Sequence, residues 1–219
     1  MDIHLFVLGY YIQLLASGAL LLRVTLSKSV AGISFDSQAL LLISALARLI
    51  WVYWTRLVQT RFMAVLVYAE LGLSIASSVF LIRSMFKSGS LRRPAEKLLR
   101  YESLTMICMF LSLLVNPGNK WVTMQILVAF SIYVEAAVLF PQLHTLRKTE
   151  VVETLTSHFL GLLILARFVR MIFWGYLFFQ GQKFLGLFAA DVIHTVLSAD
   201  FFYLWFRKLR YGEQINYQV

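Results

Sequence analysis

Arginines and carboxylates recur in this chain inside stretches that are otherwise apolar: Arg48, Glu70, Glu135, Arg167, Arg170, Asp191 and Asp200. A charge in such a setting is costly unless it meets a partner or a polar cavity. Glu135 therefore calls for a cation, and the candidates are Arg48, Arg167 and Arg170. The chemistry on offer is ion pairing. No Gly-rich phosphate loop, no nucleophile with a base at a credible spacing and no paired carboxylates in one apolar run speak for an enzyme. Asp191 and His194 stand three apart, hence on one helical face, and form a candidate pH-sensing pair, although an ordinary interhelical hydrogen bond is the plainer role. Glu70 has no evident partner. His4 and His144 are read as solvated, and no two histidines have metal-ligand spacing. The single cysteine, Cys108, allows no disulfide within the chain. Neither a metal nor a cofactor is implied.

The elements that position these groups must be membrane helices. Hydrophobic residues make up 60% of the 219 and charged residues 14%, with a mean hydropathy of +0.75. Soluble domains are far less apolar. Seven apolar runs, each near the ~20 residues that cross a bilayer, cover about 5–22, 37–54, 62–82, 98–115, 121–140, 156–178 and 184–206, followed by a polar tail at 207–219. The amino terminus has neither a basic segment nor a small-residue cleavage site, so the first run is read as a retained helix. The fifth run is expected to stop at Pro141-Gln142, where the chain returns to water before Arg147-Lys148. Trp51, Trp54, Trp121 and Trp174 fall near run ends on one side and read as an interfacial belt.

The net charge of +9 does not point to nucleic acid, because the basic residues form no stripe with interleaved aromatics. They lie between apolar runs. After the odd-numbered runs stand 13 lysines and arginines, and on the other side 4, which puts the tail in the cytosol and the amino terminus in the lumen or outside. Leu46-Ala47-Arg48 in run two recurs as Leu165-Ala166-Arg167 in run six, entered by Ile33-Ser34 and Leu155-Thr156 respectively. That pattern suggests two parallel three-helix repeats joined by run four, with a site between them.

Several blocks resemble the KDEL receptor family, the endoplasmic-reticulum lumenal protein retaining receptors. They are Ala31-Gly32-Ile33-Ser34 with Ser37-Gln38, Phe130-Ser131-Ile132-Tyr133 with Glu135, and Pro141-Gln142-Leu143. Thr154-Leu155-Thr156-Ser157-His158 and Asp200-Phe201-Phe202-Tyr203-Leu204 complete the set, in family order across nearly the whole chain. The resemblance implies a seven-helix fold similar to SWEET and PQ-loop transporters. It also implies capture of C-terminal Lys-Asp-Glu-Leu-type signals, favoured in the acidic Golgi, and cycling between endoplasmic reticulum and cis-Golgi.

Arg48 stands where the family has the helix-two arginine that meets the ligand's terminal carboxylate; a structural pair with Asp200, Glu135 or a helix-end carbonyl is its other role. Glu135, Arg167 and Asp200 also occupy family positions, with Glu135–Arg167 read as a structural or gating pair, and His158 matches an interfacial histidine. Other positions depart. Gln13 replaces a histidine tied to pH sensing, Phe6 an arginine, Trp51 an aspartate, and Gln125 and Val128 a glutamate and a tryptophan. Ala166, Arg170 and Leu177 replace two tyrosines and an arginine. The Asp191–His194 pair is a candidate substitute for the lost histidine. The ligand-binding candidates are thus Arg48, Arg167, Arg170, Glu135, Gln13 and Asp200, with Arg170 assigned either to the pocket or to the lumenal interface. In the tail, Arg207, Lys208 and Arg210 are candidates for coatomer recruitment, or serve only orientation and lipid contact. A solute transporter on the same scaffold, or a pseudo-receptor that no longer binds the signal, is the alternative.

Overall fold

The structure is a computed structural model that describes residues 2–27, 30, 32–55, 61–89, 97–116, 124–147, 154–181, 185–197, 199, 202–203 and 205–207. Asp200, Lys208, Arg210 and Trp121 lie outside the described residues, as do the side chains of His4 and His194. The regular elements described are helical: α1 (Asp2–Ser27), α2 (Phe35–Thr55), α3 (Arg61–Lys87), a 3-10 turn (Lys97–Leu99), α4 (Tyr101–Leu114), α5 (Gln125–Ala137), α6 (Leu139–Arg147), α7 (Thr154–Phe179) and α8 (Leu185–Leu197). Among the described residues, five helical stretches are long and apolar enough to cross a membrane: Leu5–Ser27, Phe35–Trp54, Arg61–Lys87, Gln125–Thr145 and Thr156–Phe179. A helix suits that setting because it satisfies its backbone internally. Outward faces carry Leu15, Leu22, Phe62 and Phe110, all exposed, whereas inner faces carry serines, alanines and the charges. The protein is an all-helical membrane protein.

Helix α1 packs on α3 and α7, α2 on α3 and α5, and α8 on α5 and α7. Helix α4 packs on α5 and is shorter than the expected run. Its first turn is set by Asp36 of α2, whose Oδ1 accepts the backbone N–H of Tyr101 at 3.0 Å.

Pro141 does not end the fifth run. The break falls at Val138, and helix resumes through the proline to Arg147. Proline has no N–H for the carbonyl four residues back, so the ladder fails just upstream of the ring and not at it. The Val138 N–H turns to the Glu135 carbonyl at 3.3 Å, and the Val138 carbonyl takes the Ser37 hydroxyl at 2.9 Å. Gln142 is fully buried, contrary to an exit into water. Its Nε2 donates to the Gly32 carbonyl at 2.8 Å, and its Oε1 accepts the Ser34 N–H at 3.0 Å. Gly32 sits at φ 76°, a left-handed conformation that favours glycine. At the same end of the bundle Arg23 of α1, also buried, donates to the Thr156 hydroxyl of α7.

Candidate functional site

Glu135 is the hub. It is fully buried on α5, and all three arginines named as its possible cations reach it. Arg48 Nε from α2 lies 3.3 Å from Oε1, while Arg167 Nη2 and Arg170 Nη1 from α7 lie 3.0 and 2.6 Å from Oε2. The Ser44 hydroxyl donates to Oε1 at 2.7 Å. The spacing of Arg167 and Arg170, three apart on one helix, brings both guanidinium groups to the same face.

Asp191 of α8 closes one side. Its Oδ1 lies 3.2 Å from Arg167 Nη1 and 3.4 Å from Arg170 Nη2, and its Oδ2 accepts the indole N–H of Trp174 at 2.9 Å. Trp174 is therefore a buried partner and not an interface anchor; Trp51 is buried too, whereas Trp54 is exposed as expected. Arg170 is fully buried, so it does not reach for the membrane surface. Its approach needs Gly9 of α1, where a Cβ would come within 2.8 Å of Arg170 Cγ.

Glu70 of α3 closes the other side and is the residue the sequence left unexplained. Its Oε2 lies 3.5 Å from Arg48 Nη1, and its Oε1 accepts the Ser74 hydroxyl at 2.8 Å. A signal was available. Glu70, Ser74, Ser77 and Ser78 recur at one-turn spacing, and all four are buried on the inner face of α3. Tyr10 lies between the two sides, with the Arg48 guanidinium 3.8 Å and that of Arg170 4.8 Å from its ring centre.

Beside Arg48 and Glu70 opens a cavity of about 50 Å³. Tyr10, Arg48 and Glu70 are its polar lining, and Phe6, Trp51 and Val128 are among its apolar walls. Arg48 Nη2 and the Tyr10 hydroxyl find no hydrogen-bond partner among the described residues. Gln13 is buried with its Oε1 likewise unpartnered among them, and it is not part of the cavity lining. His158 accepts the indole N–H of Trp205 at 3.3 Å, a helix-packing contact. His144 is half-buried instead of solvated. Arg207 is exposed at the last described position.

Among the described residues, three arginines, Arg48, Arg167 and Arg170, face three carboxylates, Glu70, Glu135 and Asp191. Buried charges of this kind are tolerated because each meets an opposite charge. A guanidinium with a spare donor beside a cavity can take a carboxylate from outside.

Comparison with known proteins agrees with this architecture. Residues 29–177 match the family model described as ER lumen protein retaining receptor. The chain is 32% identical over 200 residues to the ER lumen protein-retaining receptor of Drosophila melanogaster, covering 90% of each chain. It is 32% identical over 193 residues to a receptor of the same name from Caenorhabditis elegans, covering 87% of this chain and 86% of that one. It is 33% identical over 201 residues to ER lumen protein-retaining receptor 2 of Bos taurus, covering 90% of each. With most of its length matched on both counts, the chain belongs to the ER lumen protein-retaining receptor family.

Proposed function

We propose that the protein is a receptor for C-terminal KDEL-like retention signals of lumenal proteins, retrieving them from cis-Golgi to endoplasmic reticulum. The observation that carries this reading is Arg48: it stands at the family's carboxylate-anchor position, beside a cavity, with Nη2 unpartnered among the described residues. The chain adopts seven membrane helices in two parallel three-helix repeats joined by α4. The packing supports this, since α3 lies against α1 and α2 as α8 lies against α5 and α7. The amino terminus and the cavity face the lumen, and the tail faces the cytosol, where Arg207, Lys208 and Arg210 serve coatomer or lipid.

Phe6, Trp51 and Val128 make the cavity more apolar than the signal's acidic residues require, and the arginines are already matched by carboxylates. Those two observations favour a second reading, a pseudo-receptor of the same fold. One experiment separates them: binding of labelled peptides ending in Lys-Asp-Glu-Leu, His-Asp-Glu-Leu or a scrambled sequence, at about pH 5.5 and about pH 7.4 to straddle histidine titration. Saturable, sequence-dependent binding that Arg48→Ala abolishes is expected of the receptor. No binding of any C-terminal peptide by the folded protein would leave the pseudo-receptor.

A further inference from the structure

Four cations at the end of the bundle opposite the cavity have no ion-pair partner among the described residues. They are Arg83 and Lys87 on the last turns of α3, and Lys97 and Arg100 at the entry to α4. Arg48, Arg167 and Arg170 differ, since each of them faces a buried carboxylate. Arg83, Lys87 and Lys97 are exposed, and Arg100 is half-buried with its Nε unpartnered among the described residues. Arg83 and Lys87 stand four apart and share one face of α3. Lys97 and Arg100 stand three apart, the spacing at which a 3-10 turn stacks its side chains, and the Arg100 N–H donates to the Lys97 carbonyl at 3.3 Å.

Phe35, at the start of α2, draws the two pairs to one edge. Its ring centre lies 5.5 Å from that of Phe86 and 6.0 Å from that of Tyr101, the neighbours in sequence of Lys87 and Arg100. Asp36 fixes the same junction by accepting the Tyr101 N–H. Helix α3 is finished without help from its cations. The Ser88 hydroxyl donates to the Met85 carbonyl at 3.0 Å, and Gly89, at φ 64°, donates its N–H to the Phe86 carbonyl at 3.3 Å. Phe86 and Leu98 stand exposed beside the cations. The carboxylates nearby are Glu102, exposed on the first turn of α4, and Asp36, buried and already engaged. Between positions 83 and 102 the chain carries six basic residues and two acidic ones.

We propose that this edge binds a phosphorylated inositol lipid of the membrane face on which it lies, the cytosolic face in the reading above. The cations take the headgroup, and Phe86 and Leu98 take the boundary of the acyl chains. A phosphomonoester carries nearly two charges and three acceptor oxygens, which two cation pairs suit better than they suit a singly charged headgroup. The guanidinium groups can meet its oxygens two at a time, and the lysines add point charges. A lipid, and not a soluble phosphate, follows from the apolar neighbours. Val79 and Phe80, earlier on α3, are exposed as lipid-facing residues are, so the cations stand where headgroups begin. Orienting the chain needs only the number of charges in a loop. Holding four of them at a capped, ring-packed junction goes beyond that need. The cavity and its ligand play no part in this inference.

The test titrates the purified full chain in detergent with a phosphatidylinositol phosphate, reading bound lipid by native mass spectrometry and stability by thermal unfolding. Phosphatidylserine and phosphatidylcholine with the same acyl chains, and the soluble inositol bisphosphate headgroup, are the other probes. The wild type is expected to retain the inositol lipid above the other two, less so as salt rises. Arg83→Gln with Lys87→Gln, or Lys97→Gln with Arg100→Gln, should each weaken that binding about tenfold or more, and all four together should erase the preference. Arg61→Gln, at the other end of α3, should leave it unchanged. If a variant with Arg100→Gln does not fold, Lys97→Gln alone joins the Arg83 and Lys87 pair. Paired variants that bind as the wild type does overturn the proposal, and so does Arg61→Gln losing as much as a pair. Phosphatidylserine bound as tightly as the inositol lipid overturns the headgroup, and the soluble headgroup bound as tightly as the lipid overturns the membrane source.

Discussion

The two flanks of the buried cluster are built from the same parts and finished differently. On one flank Arg167 meets Asp191, with Arg170 and the Trp174 indole completing the carboxylate's partners at 2.9–3.4 Å. On the other, Arg48 meets Glu70 across 3.5 Å, with Ser74 as the carboxylate's other hydrogen-bond partner among the described residues and a cavity alongside. Both arginines end a Leu-Ala-Arg triplet, and both also touch Glu135. Each flank keeps an arginine nitrogen without a hydrogen-bond partner among the described residues, Arg170 Nε on one and Arg48 Nη2 on the other, but the cavity lies beside Arg48. Two similar ion pairs thus differ in setting: one carboxylate is enclosed by two arginines and an indole, and the other borders open space.

The comparison breaks most completely at its shared centre. Glu135→Gln leaves three buried arginines short of a carboxylate, and removing one member of a buried pair costs about 3–5 kcal/mol. Loss of monodisperse protein, or a collapse of the thermal midpoint, is the expected result. Asp191→Asn against Glu70→Gln sharpens it. The first strips two arginines of their second carboxylate and should cost about 3 kcal/mol or more, whereas the second weakens one contact of one arginine and should cost well under half of that, read from paired thermal unfolding curves. Equal losses would mean that the flanks are equivalent.

Smaller effects probe the approach of α1 to the Asp191 flank. Gly9→Ala forces Arg170 or the helix to shift and should cost about 1–3 kcal/mol, while Gly18→Ala, with open space around it, should be close to neutral. Trp174→Phe removes the indole donor from Asp191 and should cost about 1–3 kcal/mol. The check in each case is the thermal midpoint against wild type.

Much of this was legible in the sequence. Glu135 demanded a cation, and the three candidates drawn from other apolar runs all converge on it, because an uncompensated charge is the strongest constraint a membrane interior imposes. That the chain is built of apolar helices followed from apolar length for the same reason. The partner of Glu70 was missed, since a lone carboxylate in an apolar run does not say which way it faces; only the serine stripe below it does. Trp51 and Trp174 were misread because a tryptophan near a run end looks the same whether it meets lipid or a buried carboxylate. Gln142 was misread because polarity after a proline ordinarily signals departure from the membrane, and here it signals a cap on the neighbouring turn. The departures at Phe6, Trp51 and Val128 were visible as substitutions, but that they share one wall became clear only in three dimensions.

The hydrogen bonds at the far end of the bundle set a direction for any movement. Arg23 with Thr156, and Gln142 with Gly32 and Ser34, fasten each half to the other at the end opposite the cavity. If the cavity takes a ligand, these bonds leave the opposite end as the one by which it would enter and leave.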